Sequence, residues 1–254
     1  MTNPLLRETY KISAHRLNMF TSCRYKLYLY LLGIVPSERD TTYINAGLAV
    51  HYYLEKACIC TDYSPPTEGR LQNLFEDFNI TKPEMQDRVR KCIPRGLAIL
   101  NSFPAYRKRP EEIILKAFDT PKGRHVTIDA RLDLIVDGKH IIDYKTGMQV
   151  NKPEYTLQMH VYRFVTDFVM PASCISLLSG ERLTVDSGNP DYIPMLCDKY
   201  IDVIESNDFE RADDNTCRFC EYYKEFCSEE NRYVDPRTKI KIEEDGNDGK
   251  TVEE

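Results

Sequence analysis

Apolar positions recur at helical spacing through the first hundred residues and at alternate positions after Glu111, which divides the chain into a helical part and a strand-bearing part. Ser13 is placed to cap a first helix over residues 13–32, in which Leu17, Phe20, Leu27 and Leu31 keep the period and after which Gly33 and Pro36 stop it. A second helix is expected over 44–60, with His51 and Glu55 one turn apart on a shared face. The proline pair in YSPPTEG (63–69) makes a loop. Helical patterns resume over 71–78 and 82–100, the latter bent at Pro94. From Glu111 the period becomes two. EEIILKAF, RHVTIDARLDLIV and KHIIDYK are rich in β-branched residues and separated by Gly-containing turns. A helix follows over 152–168, with Leu157, Val161, Phe164 and Phe168 as its buried stripe, then a strand in SCISLLS and a helix over 189–205. Helix, three strands, helix, strand implies an α/β fold, a mixed sheet flanked by helices.

A chain of 254 residues can bury a sizeable core, and 42% hydrophobic with 29% charged residues is ordinary for a soluble globular protein. No run of eighteen apolar residues suggests a membrane span, and MTNPLLRETYK lacks the apolar centre of a signal peptide; a cytoplasmic location is expected. The net charge of −6 speaks against a nucleic-acid partner until the end of the chain is set aside. Residues 241–254 carry two Lys against six Asp or Glu, and removing that −4 leaves −2. Beyond Val234 the composition is charged and poor in large apolar residues, so 235–254 is expected to be an acidic disordered tail. Conversely, residues 88–110 hold seven Lys or Arg and no acid. That run is either a solvated face or a surface that tracks phosphates.

The chemistry is concentrated between Ala130 and Tyr162. Asp133 stands near the end of one strand; Asp143 and Lys145 share a face of the next; Gln158 and Tyr162 are one turn apart on the following helix. Hard divalent ions such as Mg²⁺ or Mn²⁺ take carboxylate oxygens, activate bound water and stabilise charge on a phosphate in transfer. A lysine beside such a site can offset developing charge, and His51 could complete the set from its helix. The shared site carries a condition. A two-residue Asp137-Gly138 turn would send Asp133 and Asp143 to opposite faces, whereas a three-residue loop with Gly138 left-handed, or a bulge near Asp133, brings them together.

AGLAVHYYLE, LDLIV…IIDYKTG and LQMHVY together resemble the RecB-like branch of the PD-(D/E)xK nucleases. That resemblance implies a restriction-endonuclease-like fold, metal ligation by His51, Asp133 and Asp143, and catalysis by Asp133, Asp143 and Lys145 with Gln158 and Tyr162. Asp143 stands where many relatives have Glu, and Ala130 where relatives often have Gly.

Nine cysteines are too many for chance in a reducing compartment, where clusters more often bind metal. Cys58 and Cys60 read as core. Cys217-x-x-Cys220 followed by Cys227 supplies three thiolates, for which Zn²⁺ or an iron–sulfur cluster is the usual occupant. The resemblance supplies a fourth, Cys23, in a split set similar to that of AddB-type nucleases and of the fourth CRISPR-associated (Cas) family; it implies a 4Fe-4S cluster, with zinc the alternative. It further implies a prokaryotic or virus-encoded exonuclease acting on single-stranded DNA ends, in CRISPR adaptation beside integration proteins or with recombination factors. On this reading 1–234 is one nuclease domain: a helical part (12–110), an α/β core (111–206) and a Cys-rich segment (207–234). Tyr25, Tyr28 and Tyr30 would either stack bases of a single strand or pack within the helical part. The rival reading is a catalytically silent binding or assembly subunit, against which the intact Asp133, Asp143 and Lys145 argue.

Overall fold

The computed structural model describes residues 11–36, 41–150, 152–212, 217 and 220–228; the tail expected over 235–254 lies outside them. A short strand β1 (Lys11–Ser13) leads into α1 (Ala14–Ser22), which Ser13 caps by accepting from the Arg16 amide at 3.2 Å. The single helix expected over 13–32 is broken. Cys23 adopts extended backbone (φ −162°, ψ 112°), its sulfur accepts from the Lys26 amide, and α2 (Arg24–Leu31) begins there. The break turns Cys23 away from the helical core, toward Tyr222, Phe226, Cys220 and Cys227 of the C-terminal segment. Then come α3 (Thr42–Cys60), α4 (Glu68–Asp77) and α5 (Pro83–Asn101), the last continuous through Pro94.

The strand-bearing part runs β2 (Lys108–Asp119), β3 (His125–Val136), β4 (His140–Lys145), α6 (Pro153–Val165), β5 (Ala172–Ser176), β6 (Arg182–Val185) and α7 (Tyr192–Ser206). The six strands form one sheet in the order β1-β3-β4-β5-β6, with β2 also on β3. β1–β3 and β4–β5 are parallel and the remaining pairs antiparallel, so the sheet is mixed as expected. The parallel β4–β5 pair needs a crossover, and α6 provides it. β1 and β6 have no counterpart in the pattern reading: KIS is too short to show a period, and RLTV buries only Val185.

Two apolar clusters lie on the two sides of the sheet. One gathers α1, α6 and α7 against Val126, Ile128, Ala130, Leu132, Ile135 and Ile141. The other gathers α3, α4 and α5 against Leu134, Val136, Ile142 and Tyr144. Residues of even number along β3 therefore change side between Leu132 and Leu134, so the strand turns over at Asp133. On β2, Glu111 sits between the pairs Pro110↔Leu134 and Glu112↔Leu132, opposite Asp133, with a left-handed φ of 50°. The free edge of β3 is also shared: β1 pairs with Thr127–Asp129, and β4 pairs with Leu134–Val136. The sheet forks between them, and the candidate site lies in that fork.

α6 is buried on more than one stripe. Met159, Tyr162, Arg163 and Val165 are covered as well as Leu157, Val161 and Phe164, while Phe168 lies past the helix end. Tyr162 accordingly does not share an open polar face with Gln158; its ring is core.

Candidate functional site

Val136 pairs with His140, so Asp137-Gly138-Lys139 is a three-residue loop, with Gly138 at φ 68°. Continuing the register past Leu134↔Ile142 brings Asp133 opposite Asp143, which meets the condition for a shared site. Asp133 Oδ2 accepts from the Tyr144 amide at 2.7 Å, and its Oδ1 lies 3.3 Å from His51 Nδ1. His51 Nε2 is 3.1 Å from the Tyr144 carbonyl, an acceptor, so that nitrogen carries a proton. Glu111 Oε1 is 3.5 Å from the same Nδ1, and its Oε2 takes Arg131 Nε at 2.6 Å. Among the described residues, His51, Glu111 and Asp133 form the one group of three whose ligand atoms lie within 4.8 Å of one another.

Burial works against charge on His51, but the carboxylates of Asp133 and Glu111 win and raise its pKa to about 10. Burial likewise opposes the Asp133 charge, and His51, Lys145 and the Tyr144 amide reverse the balance and lower its pKa. Two half-buried carboxylates face His51 Nδ1, and a divalent ion between them would take the place of the Nδ1 proton, since only the neutral imidazole has a lone pair to offer. One nitrogen and several oxygens suit a hard divalent ion.

Asp143 lies deeper, at 1% exposure, and is not in that group of three. Its Oδ2 is 2.7 Å from Lys145 Nζ; its Oδ1 accepts from Gln158 Nε2 at 3.0 Å and lies 3.2 Å from the Tyr162 hydroxyl. Burial raises the Asp143 pKa. Burial opposes the Lys145 charge, but Asp143 and Asp133 more than offset it, so the ammonium stays protonated. Gln158 also donates to the Tyr162 hydroxyl at 2.6 Å, which donates to the Arg131 carbonyl at 2.8 Å. Of the expected metal set, His51 and Asp133 converge with Glu111, and Asp143 lies opposite Asp133 with Lys145, Gln158 and Tyr162 at its oxygens. Glu111 escaped the pattern reading because only the long β2–β3 register places it across from Asp133.

At a distance from the fork, Cys23, Cys217, Cys220 and Cys227 line one cavity of about 830 Å³ whose wall also includes Lys145 and Gln158. Burial lifts the Cys227 thiol to about 11; Arg211 opposes that shift, and the thiols of Cys220, Cys23 and Cys217 add to it. Arg211 Nη1 is buried beside them without a hydrogen-bond partner. Cys58, Cys92, Cys174 and Cys197 are buried, but Cys60, read as core, is exposed.

Two expected strand guides are spent on structure. In the basic run, Arg90 pairs with Glu68, Lys91 with Asp87 and Arg109 with Asp137 and Glu112, while Arg88 and Arg95 bind the carbonyls of Thr146 and Leu177. Tyr25 is buried and Tyr28 stacks on Phe209, leaving only Tyr30 well exposed.

Residues 11–228 match the PD-(D/E)XK nuclease superfamily, and the chain belongs to it. The mixed sheet flanked by helices is the restriction-endonuclease-like fold of that superfamily. No curated protein matches the sequence. Among solved structures, a "Putative exonuclease" from Eubacterium rectale is 15% identical, covers 85% of this chain and 90% of its own, and superposes with a TM-score of 0.53. SSO0001 is 13% identical over 70% of this chain and 96% of its own, with a TM-score of 0.40. No helix among the described residues is long and apolar enough to cross a membrane.

Proposed function

We propose, from membership of the PD-(D/E)XK nuclease superfamily, that this protein is a divalent-metal-dependent deoxyribonuclease that trims single-stranded DNA ends. The observation that carries the reading is the pairing of Asp133 across from Asp143 at the fork, with Lys145 held 2.7 Å from Asp143. The cradle of His51, Glu111 and Asp133 fits Mg²⁺ or Mn²⁺, and Asp143 borders it. When bound, such an ion supplies Lewis-acid stabilisation and an acidified water.

The chain's own residues do the remaining work. Asp133 is fixed by the Tyr144 amide, so its second oxygen is aimed toward His51 and the cradle. Lys145 presents a permanent positive charge beside the two carboxylates, where negative charge grows on a phosphate under attack. Gln158 and Tyr162 act on Asp143, holding the carboxylate that holds the lysine.

The four cysteines suit a thiolate-held iron–sulfur cluster. Their sulfurs share one cavity, and the unpartnered Arg211 nitrogen there fits an anionic centre. Cys23 joined to Cys227 through a cluster would clasp the two ends of the fold. The pathway proposed is CRISPR adaptation or DNA recombination and repair, which neighbouring genes would distinguish.

Digestion of end-labelled single-stranded DNA in Mn²⁺ tests the enzyme: wild type shortens the strand and Lys145→Ala does not. If both left the DNA equally intact under every divalent metal tried, the nuclease reading would fail. Iron and acid-labile sulfide in anaerobically purified protein test the cluster; stoichiometric zinc without iron would overturn it.

A further inference from the structure

Most of the basic run is paired and two of the three N-terminal tyrosines are packed, so a second route for a strand to Lys145 is worth locating. The 830 Å³ cavity between α1–α2 and the start of α6 is the place where charge and aromatic surface coincide. Four Lys or Arg line it against one carboxylate, Glu154. Lys145 and Gln158 are part of its wall. Tyr155, one turn ahead of Gln158 on α6, packs against the core and lines the cavity; the Lys145 and Lys152 ammoniums stand 5.1 and 5.8 Å from its ring centroid. Lys152 is 44% exposed, with Glu154 at 3.9 Å, and Lys26 lies across the cavity on α2 with Glu221 at 3.5 Å. Pairs at such separations in water are weak and exchange readily for a phosphate.

We propose that this chamber is the binding subsite for the unpaired nucleotides next to the scissile phosphate: Tyr155 stacks a base, while Lys152 and Lys26 take flanking phosphates. The inference rests on the nuclease reading and deepens it, because it names the residues that hold the unpaired strand beside the scissile phosphate. The cysteines and their cluster take one part of this cavity, and the strand is assigned the part lined by Lys26, Lys145, Lys152 and Tyr155. A π-face is available only to a base outside a duplex, and a cationic groove with an aromatic platform is what unpaired strands require. The position also makes chemical sense. The Tyr155 ring lies within contact distance of both the Lys145 and Lys152 ammoniums, so the residues that hold the strand stand beside the lysine that acts on its phosphate.

The test uses the full chain. Binding of a fluorescein-labelled oligothymidylate is followed by anisotropy in EDTA, and cleavage kinetics in Mn²⁺. Lys152→Ala and Tyr155→Ala should each raise Kd and KM on the order of tenfold, with kcat changed by less than about twofold. Tyr155→Phe should behave as wild type, because stacking uses the ring and not the hydroxyl. The Lys152→Ala effect should shrink as salt rises, and the Tyr155→Ala effect should not. The proposal is overturned if Lys152→Ala and Tyr155→Ala, folded with wild-type Tm, keep wild-type Kd and KM. It is equally overturned if Tyr155→Ala lowers kcat at constant KM, since the ring would then be acting through Lys145. Wild type that neither binds nor cuts the strand would remove the nuclease reading itself, and the chamber with it.

Discussion

The Tyr162 hydroxyl donates to the Arg131 carbonyl at 2.8 Å, spanning the stretch of β3 that neither β1 nor β4 pairs. A fork in a sheet leaves backbone groups without partners, and a buried unpaired carbonyl costs free energy. Tyr162, 3% exposed, supplies the missing donor and stands 3.2 Å from Asp143. It is thus a brace for the fork as well as for the carboxylate. Tyr162→Phe should lower stability by about 1 to 2 kcal/mol and reduce kcat more than it raises KM. Urea unfolding and steady-state kinetics on the same preparation check both halves; unchanged stability would remove the brace.

Lys145 and Asp143 form an ion pair at 2.7 Å, with the carboxylate 1% and the lysine side chain 22% exposed. Lys145→Ala would strand a carboxylate, at a cost of about 3 to 5 kcal/mol, and lower cleavage on the order of a hundredfold or more. The double variant Asp143→Asn/Lys145→Met removes both charges. It should recover much of the lost stability and none of the activity, which separates the structural role of the pair from the catalytic one. Additive losses in a double-mutant cycle would contradict the coupling.

Asp133, Asp143 and Lys145 were legible because alternation assigns their faces and the Asp137–Lys139 loop, with its one glycine, fixes the register. Glu111 was not, since its partner is chosen by β2–β3 pairing that no local spacing encodes. The break at Cys23 was hidden for a related reason: Leu17, Phe20, Leu27 and Leu31 keep one period across it, and only the distant Cys-rich segment explains the turn. The two readings of the basic run could not be separated from the sequence, because charge density says nothing about partners. Glu68, Asp87, Asp137 and two backbone carbonyls claim most of it.

Stability should fall in mild acid through His140. Burial, with Arg182 beside it, pushes its pKa from 6.5 down to about 4, and its Nε2 lies 2.7 Å from Ser173 Oγ and 2.8 Å from Arg182 Nη2. Between those values the unfolded chain binds a proton that the folded chain refuses, so the His140 contribution is full above about 6.5 and is lost as pH falls toward 4. His140→Gln should flatten the decline between pH 6.5 and 5, above the range where most carboxylates titrate. Thermal melts at several pH values test this; a variant with the same slope as wild type would show that other groups set it.

Glu111 offers the sharpest test of the cradle, because its role in holding a divalent ion rests on geometry alone. Its backbone is left-handed at φ 50°, a conformation unusual for glutamate and kept where surrounding structure enforces it. The enforced turn brings the carboxylate to His51 and opposite Asp133, with Arg131 at 2.6 Å steadying the other oxygen. If Glu111 is a ligand, Glu111→Gln should weaken Mn²⁺ binding on the order of 10- to 100-fold, read by calorimetry or by the Mn²⁺ resonance signal without DNA. Arg131→Gln frees the outer oxygen but leaves the carboxylate, so its effect should be smaller. If Glu111 instead serves only to neutralise Arg131, the two variants should bind Mn²⁺ like wild type, and the removal of both side chains should be better tolerated than removal of either. Rising Mn²⁺ should restore cleavage to Glu111→Gln in the first case and change nothing in the second.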